Sequence, residues 1–301
     1  MATQAPQPLK GVRILSLALN LPGPAALMRC RSMGARCVKL EPPGPQGLPA
    51  GTSGDPMGQY NPTAYATLHT GVRILSADLK TDKGQQVLHR ELARADVLLT
   101  SFRPSALVKL GLGWAALRKR YPALSQVAIV GAPGERAEEP GHDLTYLADN
   151  GLVNGLELPP TLYADMGGSL AASEAVLQAV LAQRSHAKGR GACFEVALSD
   201  AAAYLALPRT WGLTLPSGSV GGAHAGYRVY PCKNGRVAVA ALEPHFAAAL
   251  CAAAGIEIDG LRAMLAPATH RRIGDFLLTQ TRKQLDKLAM ERDIPLLTLP
   301  A

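Results

Sequence analysis

Three ionisable residues of this 301-residue chain are of types that carry acid–base or nucleophilic chemistry, and each stands where a loop turns into a helix. His142 follows Pro140-Gly141, Asp165 precedes Gly167-Gly168, and Glu243 precedes Pro244. Side chains at such junctions project into clefts, where a carboxylate or an imidazole can exchange protons or attack a substrate. Their spacing alone does not select that chemistry. Asp165 beside two glycines also reads as a turn or cap residue, and Glu243 as a charge favoured by the dipole of the helix it opens. His142 after Pro-Gly also reads as a solvated loop histidine.

The elements that must position these residues alternate between short β-branched runs and helical stretches, the pattern of parallel strands joined by crossover helices. Residues 12–17 and 37–41 read as strands around a helix over 23–33, with Gly34 as its stop and Pro42-Pro43-Gly44 ending the unit. The Gly-, Pro- and Ser-rich segment 41–61 reads as a long surface loop. Strands over 73–79, 96–101 and 126–131 and helices over 81–94 and 114–121 complete a doubly wound α/β sheet in the first half. A helix over 168–184 follows, then a basic turn from Lys188 to Gly191 and a strand over 193–198. The boundary is placed at residue 200: residues 1–200 form a large Rossmann-like domain and 201–301 a smaller α+β one. That second domain holds a hairpin of 228–232 with 236–242 across Lys233-Asn234-Gly235, a helix from Glu243-Pro244, two further helices and a short apolar tail.

Composition narrows the function. The chain is 48% hydrophobic, 18% charged and 5% aromatic, with 31 Lys+Arg against 23 Asp+Glu for a net charge of +8, which excludes a disordered or fibrous protein. The basic residues are scattered and lack the interleaved aromatics that stack on bases, so a nucleic-acid partner is not expected. Arg outnumbers Lys by 21 to 10, which suits bidentate capture of a small phosphate or carboxylate as readily as it reflects compositional bias. The five cysteines, at 30, 37, 193, 232 and 251, form no CxxC pair and read as reduced thiols. No apolar run is long enough for a spanning helix and residues 1–10 do not read as a leader, so the expected compartment is the cytoplasm and no membrane partner is expected. The turn Asn20-Leu21-Pro22-Gly23-Pro24 offers no GxGxxG cradle, and no GxxxxGK[ST] or GxSxG is present, which removes dinucleotide dehydrogenases, P-loop enzymes and α/β-hydrolases. No cluster with metal-ligand spacing appears, so no metal is expected.

Several segments, in this order and spacing, resemble the family III CoA-transferase (CaiB/BaiF) superfamily. They are GVRILSLALNLPGPAALMRCRSMGARCVKLEPPG (11–44), ADLKTDKG (77–84), ADVLLTSFRP with LGLGW (95–104, 110–114), GHDLTYLADNG (141–151), YADMGGS (163–169), KGRGACFEVALSDAAA (188–203) and YRVYPCKNGRVAVAALEPHFAAAL (227–250). The resemblance covers roughly residues 8–255 and leans towards its α-methylacyl-CoA racemase branch. It implies a Rossmann-like large domain with a parallel sheet, a smaller α+β domain and an interlocked homodimer. Against that family the chain is short: past residue 294 little remains of the usual segment that returns to the large domain.

The same resemblance assigns the chemistry. Transferase members attack the thioester with a carboxylate, here Asp165, through a mixed anhydride. Racemase-like members remove the proton α to the thioester and return one from the opposite face, which needs an acid–base group on each side. That pair would be Asp165 and His142, with Glu243 steadying the imidazole. The joint presence of GHD, DMGG and LEP favours epimerisation of 2-methyl-branched acyl-CoA thioesters, with CoA transfer as the alternative and a non-catalytic relative as the third reading. No cofactor is implied beyond the CoA of the substrate. The resemblance points to Arg103, Lys39 and Arg73 as phosphate contacts, and to Asp143 and Tyr146 on the pantetheine side. Ser105 stands where FRPG is usual, Pro42 where an Arg often follows, and GAPGERAEE (131–139) brings three acids close to the expected anionic ligand.

Overall fold

The computed structural model describes residues 6–49, 51–185, 189–257 and 260–301. The first five residues of the opening segment, one position of the 41–61 loop and Lys188 of the basic turn lie outside the described residues. The chain forms two compact units, Met1–Ala206 and Leu207–Ala301.

In the first unit the chain runs β1 (Arg13–Ser16), α1 (Pro22–Ser32), β2 (Arg36–Glu41), α2 (Pro56–Tyr60), α3 (Pro62–Leu68), β3 (Arg73–Ser76), α4 (Asp82–Leu92) and β4 (Val97–Thr100). It continues α5 (Pro104–Lys109), α6 (Trp114–Arg120), β5 (Ser125–Val130), α7 (Asp143–Asp149), α8 (Tyr163–Ser185), β6 (Cys193–Ala197) and α9 (Leu198–Leu205). All the strand pairs of this sheet are parallel, in the order β3-β2-β1-β4-β5-β6. Alternate side chains of each strand enter opposite cores. Ile14, Val97, Leu99 and Val127 pack against Leu27 of α1 and Val176 of α8. Leu15 and Leu98 face the other way, against Leu88 of α4, Leu107 of α5 and Leu117 of α6. The order reverses between β1 and β4, which leaves a crevice at the strands' carboxyl ends, where open α/β sheets take ligands.

Two elements depart from the sequence expectation. The 41–61 segment is not all loop: Asp55 caps α2 by accepting the Met57 N–H, and Pro56 fills the first helical position, where its missing N–H is no loss. Helix α8 begins at Tyr163 rather than 168. Gly167 and Gly168 do not break it. They let α9 approach, since a Cβ on Gly168 would lie 2.2 Å from Leu198.

The second unit opens with α10 (Leu207–Thr210), followed by the antiparallel pair β7 (Tyr227–Cys232) and β8 (Gly235–Ala240), then α11 (Pro244–Ala253), α12 (Pro267–Thr279) and α13 (Arg282–Arg292). The apolar tail forms β9 (Leu296–Leu299), antiparallel to β8, and the sheet covers a core that includes Val237, Leu250, Ile273 and Leu277. Among the described residues no helix is long and apolar enough to cross a membrane.

Candidate active site

A cleft of about 530 Å³ opens at the carboxyl ends of β1, β4 and β5 in the first unit. One wall is the β1–α1 turn, from Leu19 to Pro22. Asn20 takes φ +62° there, a left-handed conformation that asparagine tolerates better than most residues. Gly23 closes the turn, because a Cβ at that position would stand 2.1 Å from the Ala18 Cβ. Pro22 and Pro24 have no N–H, so this helix start lacks donors that a dinucleotide pyrophosphate would use. Ser101, Phe102 and Arg103 after β4 form the next wall, with Gly131, Gly141, His142, Asp143 and Tyr146 beyond them.

Asp165 faces this cleft from the first turn of α8. Its N–H, one of the donors that a helix start leaves without an internal partner, donates to Asp143 Oδ1 at 3.0 Å. Asp143 is buried, so a second carboxylate is fixed beside the first. Burial and then the Asp143 charge push the Asp165 carboxyl up to about 6, while His142 pulls it the other way. His142 is exposed on the same cleft, and its backbone is pinned by Thr145, whose hydroxyl accepts from the His142 N–H at 3.1 Å and donates to its carbonyl at 2.7 Å. A half-buried carboxyl that titrates near neutrality and an imidazole therefore share one solvent-accessible space. That is the composition of an acid–base pair.

The other expected residues separate into two groups. Arg103 lies on the cleft rim, and Tyr146 is wedged against Gly131 and Gly141, where a Cβ would come within 2.3 Å of its hydroxyl and 2.6 Å of its ring respectively. Burial, with the Asp165 charge second, raises the Tyr146 phenol. Asp143 acts through Asp165, as a cap on α8, rather than as a helix cap of its own segment.

Lys39 and Arg73 do not reach the cleft, which corrects their expected role as phosphate contacts. Lys39 has no solvent exposure, and its ammonium is enclosed by Asp55, by Glu41 at 3.5 Å and by His69 at 3.0 Å. Arg73 starts β3, at the amino-terminal edge of a parallel sheet whose carboxyl edge holds the cleft, and it faces Glu91 at 3.8 Å. Glu243 belongs to the second unit, where it stands exposed at the N-cap of α11.

Three participants escaped sequence reading: Asn20, Tyr60 and Asp55. Tyr60 ends α2 and lines the cleft, and its phenol is raised by burial and by the charges of Asp55 and Asp165. The signal was Gly54-Asp55-Pro56, an N-cap followed by a proline, inside a segment otherwise poor in pattern. The two departures at Ser105 and Glu138 answer each other. Glu138 accepts the Ser105 N–H at 2.6 Å and the Ser105 hydroxyl at 2.8 Å, tying two rims of the cleft together. Among the described residues no group of three His, Cys, Asp or Glu is arranged to hold a metal ion.

With this geometry in place, the sequence matches the CoA-transferase family III pattern from residue 9 to residue 299. The chain belongs to CoA-transferase family III. Its relatives in that family divide between two reactions. It is 30% identical over 297 residues to alpha-methylacyl-CoA racemase of Mus musculus, covering 92% of this chain and 73% of the relative. It is 34% identical over 166 residues to cinnamoyl-CoA:phenyllactate CoA-transferase of Clostridium sporogenes, covering 52% of this chain but 40% of that one. It spans 53% of a probable fatty acyl-CoA transferase of Mycobacterium tuberculosis. Among solved structures, a hypothetical protein of Mycobacterium tuberculosis shares the fold with a TM-score of 0.82 at 23% identity, over 99% of this chain and 86% of that one.

Proposed function

We propose that this family III protein inverts the α-carbon of 2-methyl-branched acyl-CoA thioesters by two-base proton transfer. One of the pair Asp165 and His142 removes the α-proton, the thioester carbonyl takes up the electron pair as an enolate, and the other member returns a proton to the opposite face. The observation that carries this reading is the Asp165 carboxyl lifted to about 6 in the same cleft as His142. A group that can both hold and release a proton near neutrality suits this exchange, whereas a nucleophile needs only its ionised form. Arg103 is the proposed phosphate contact and Tyr146 a pantetheine neighbour, and the CoA of the substrate is the only organic group required. Glu243 enters on the family resemblance alone. The resemblance also supports a homodimer, as do large apolar side chains left open on the first unit, among them Leu158 and Tyr204, each 73% exposed; sedimentation at micromolar concentration tests it.

Incubation with a 2-methylacyl-CoA in D₂O tests the reaction. α-Deuteration without any acceptor acid is expected, together with loss of exchange in His142→Ala and Asp165→Asn; no exchange by the folded protein sinks the proposal. The second reading, CoA transfer with Asp165 as nucleophile, is supported by the transferases among the relatives. It expects acyl-CoA-dependent trapping of Asp165 by hydroxylamine and activity that survives His142→Ala. If neither reaction occurs and CoA does not bind, the chain is a non-catalytic member of its family.

A further inference from the structure

Lys39 and Asp55 have no solvent exposure at all, yet both are charged, and such a pair is costly to bury unless it holds something in place. What the pair holds is two walls of the cleft. Asp55 Oδ2 takes the Lys39 ammonium, while Oδ1 accepts the Asn20 N–H at 3.0 Å and the Met57 N–H at 3.0 Å. The first of these bonds fixes the residue with positive φ in the β1–α1 turn. The second caps α2, the short helix that ends in Tyr60. Both Asn20 and Tyr60 line the cleft.

The far side of the ammonium is equally determined. It can only donate, so His69 Nε2 at 3.0 Å accepts, and His69 Nδ1–H donates to the Tyr65 carbonyl at 2.7 Å. Glu41 completes the shell, receiving the Tyr65 hydroxyl at 2.9 Å and the Ser53 hydroxyl at 2.8 Å. The Lys39 position is therefore set by strand β2 and helix α3, and Asp55 transmits it to the β1–α1 turn and to α2.

We propose that Asp55, anchored by Lys39, is a positioning residue for acyl-CoA binding: one carboxylate oxygen sets the wall at Asn20 and the wall at Tyr60 in a common register. The proposal rests on the reading of this cleft as an acyl-CoA site. Asp55 makes no hydrogen bond to Asp165 or His142, so its effect falls on KM and leaves the proton-transfer pair intact.

The test compares two variants that both remove the Lys39–Asp55 pair and leave Glu41 equally without its cation, so that the difference between them reports on the Asp55 oxygen alone. Lys39→Met with Asp55→Asn keeps an oxygen that accepts both N–H groups. Lys39→Met with Asp55→Ala has none. Hydrogen exchange followed at the Asn20 and Met57 amides is expected to stay slow in the first and become fast in the second. In the D₂O assay, at equal folded fraction by thermal melting, KM for the 2-methylacyl-CoA should rise about tenfold or more in the alanine variant relative to the asparagine variant, with kcat little changed. Equal amide protection, or equal KM, in the two variants overturns the proposal. If one double variant fails to fold, Asp55→Asn and Asp55→Ala with Lys39 retained give the same two comparisons. If the wild-type protein neither binds CoA nor exchanges the α-proton, the functional reading fails, while the amide-exchange arm still decides whether Asp55 orders the walls.

Discussion

Two clusters of charge, one lining the cleft at Asp165 and one enclosed behind its walls around Lys39, are built on opposite plans. Around Lys39 the signs alternate, every member is enclosed, and each charged atom meets a donor or acceptor. At Asp165 the neighbour is another carboxylate, the main counterweight is an exposed histidine, and the carboxyl responds by holding its proton to about 6. The first cluster resolves its electrostatics and becomes rigid. The second leaves its electrostatics unresolved, and that tension is what makes a proton mobile near neutral pH. The contrast explains why a lysine that looks like a ligand contact in the sequence belongs to the scaffold instead.

The largest expected effect is on the resolved cluster. Lys39→Met leaves Asp55 and Glu41 buried without their cation and should destabilise the first unit by about 3–5 kcal/mol, read as a fall in the midpoint of urea or thermal unfolding. Adding Asp55→Asn should recover much of that loss. A single variant as stable as the wild type would show that the enclosed ions are not coupled.

The unresolved cluster should behave in the opposite sense. In the native state Asp165 keeps its proton up to about 6, whereas its ordinary value is 3.8, so between those values the native state binds more protons than the unfolded one. Stability therefore falls as pH rises through that window, and the cost persists above it. Asp165→Asn should abolish α-proton exchange while raising stability at pH 7–8 by an amount on the order of 2 kcal/mol, after allowance for partial exposure. The gain should vanish below about pH 4. A variant that is inactive but not stabilised at neutral pH would remove the claim of stored electrostatic cost.

How far the sequence displayed this contrast depends on the range of the interactions. Strands such as Val97–Thr100 were legible because three consecutive apolar residues, Val97 to Leu99, buried on both faces are a local pattern. His142 and Asp165 were legible as candidates because GHD and DMGG stand at helix starts, and the family resemblance supplied their roles. The partners of Lys39 were not. Asp55 lies 16 residues away and His69 30, across a segment whose Gly and Pro content hides α2. The start of α8 was missed for a related reason: Gly167-Gly168 is a punctuation signal locally and a packing surface once α9 is present, and only the tertiary contact decides between them.

The smallest effect separates the two plans by the sign of their pH response. His69 must stay neutral to accept from Lys39, and burial, followed by the Lys39 charge, lowers its pKa from the ordinary 6.5. The unfolded state then takes up a proton that the native state refuses, so this contribution to stability is intact above 6.5 and lost as pH falls below it. Between pH 6.5 and 4 the Asp165 contribution runs the other way, and in the wild-type protein the two partly cancel. Asp165→Asn should therefore steepen the loss of stability on acidification, and adding His69→Gln, whose amide oxygen can still accept from Lys39, should flatten it again. His224 of the second unit is also lowered, by burial and then by His270, but it is common to all these variants and drops out of the differences. Unfolding free energies at pH 5 and pH 8 for the wild type, the two single variants and the double variant give the result. If Asp165→Asn leaves the acid slope unchanged, the two clusters do not oppose each other, and the distinction between a resolved scaffold and an unresolved site loses its energetic meaning.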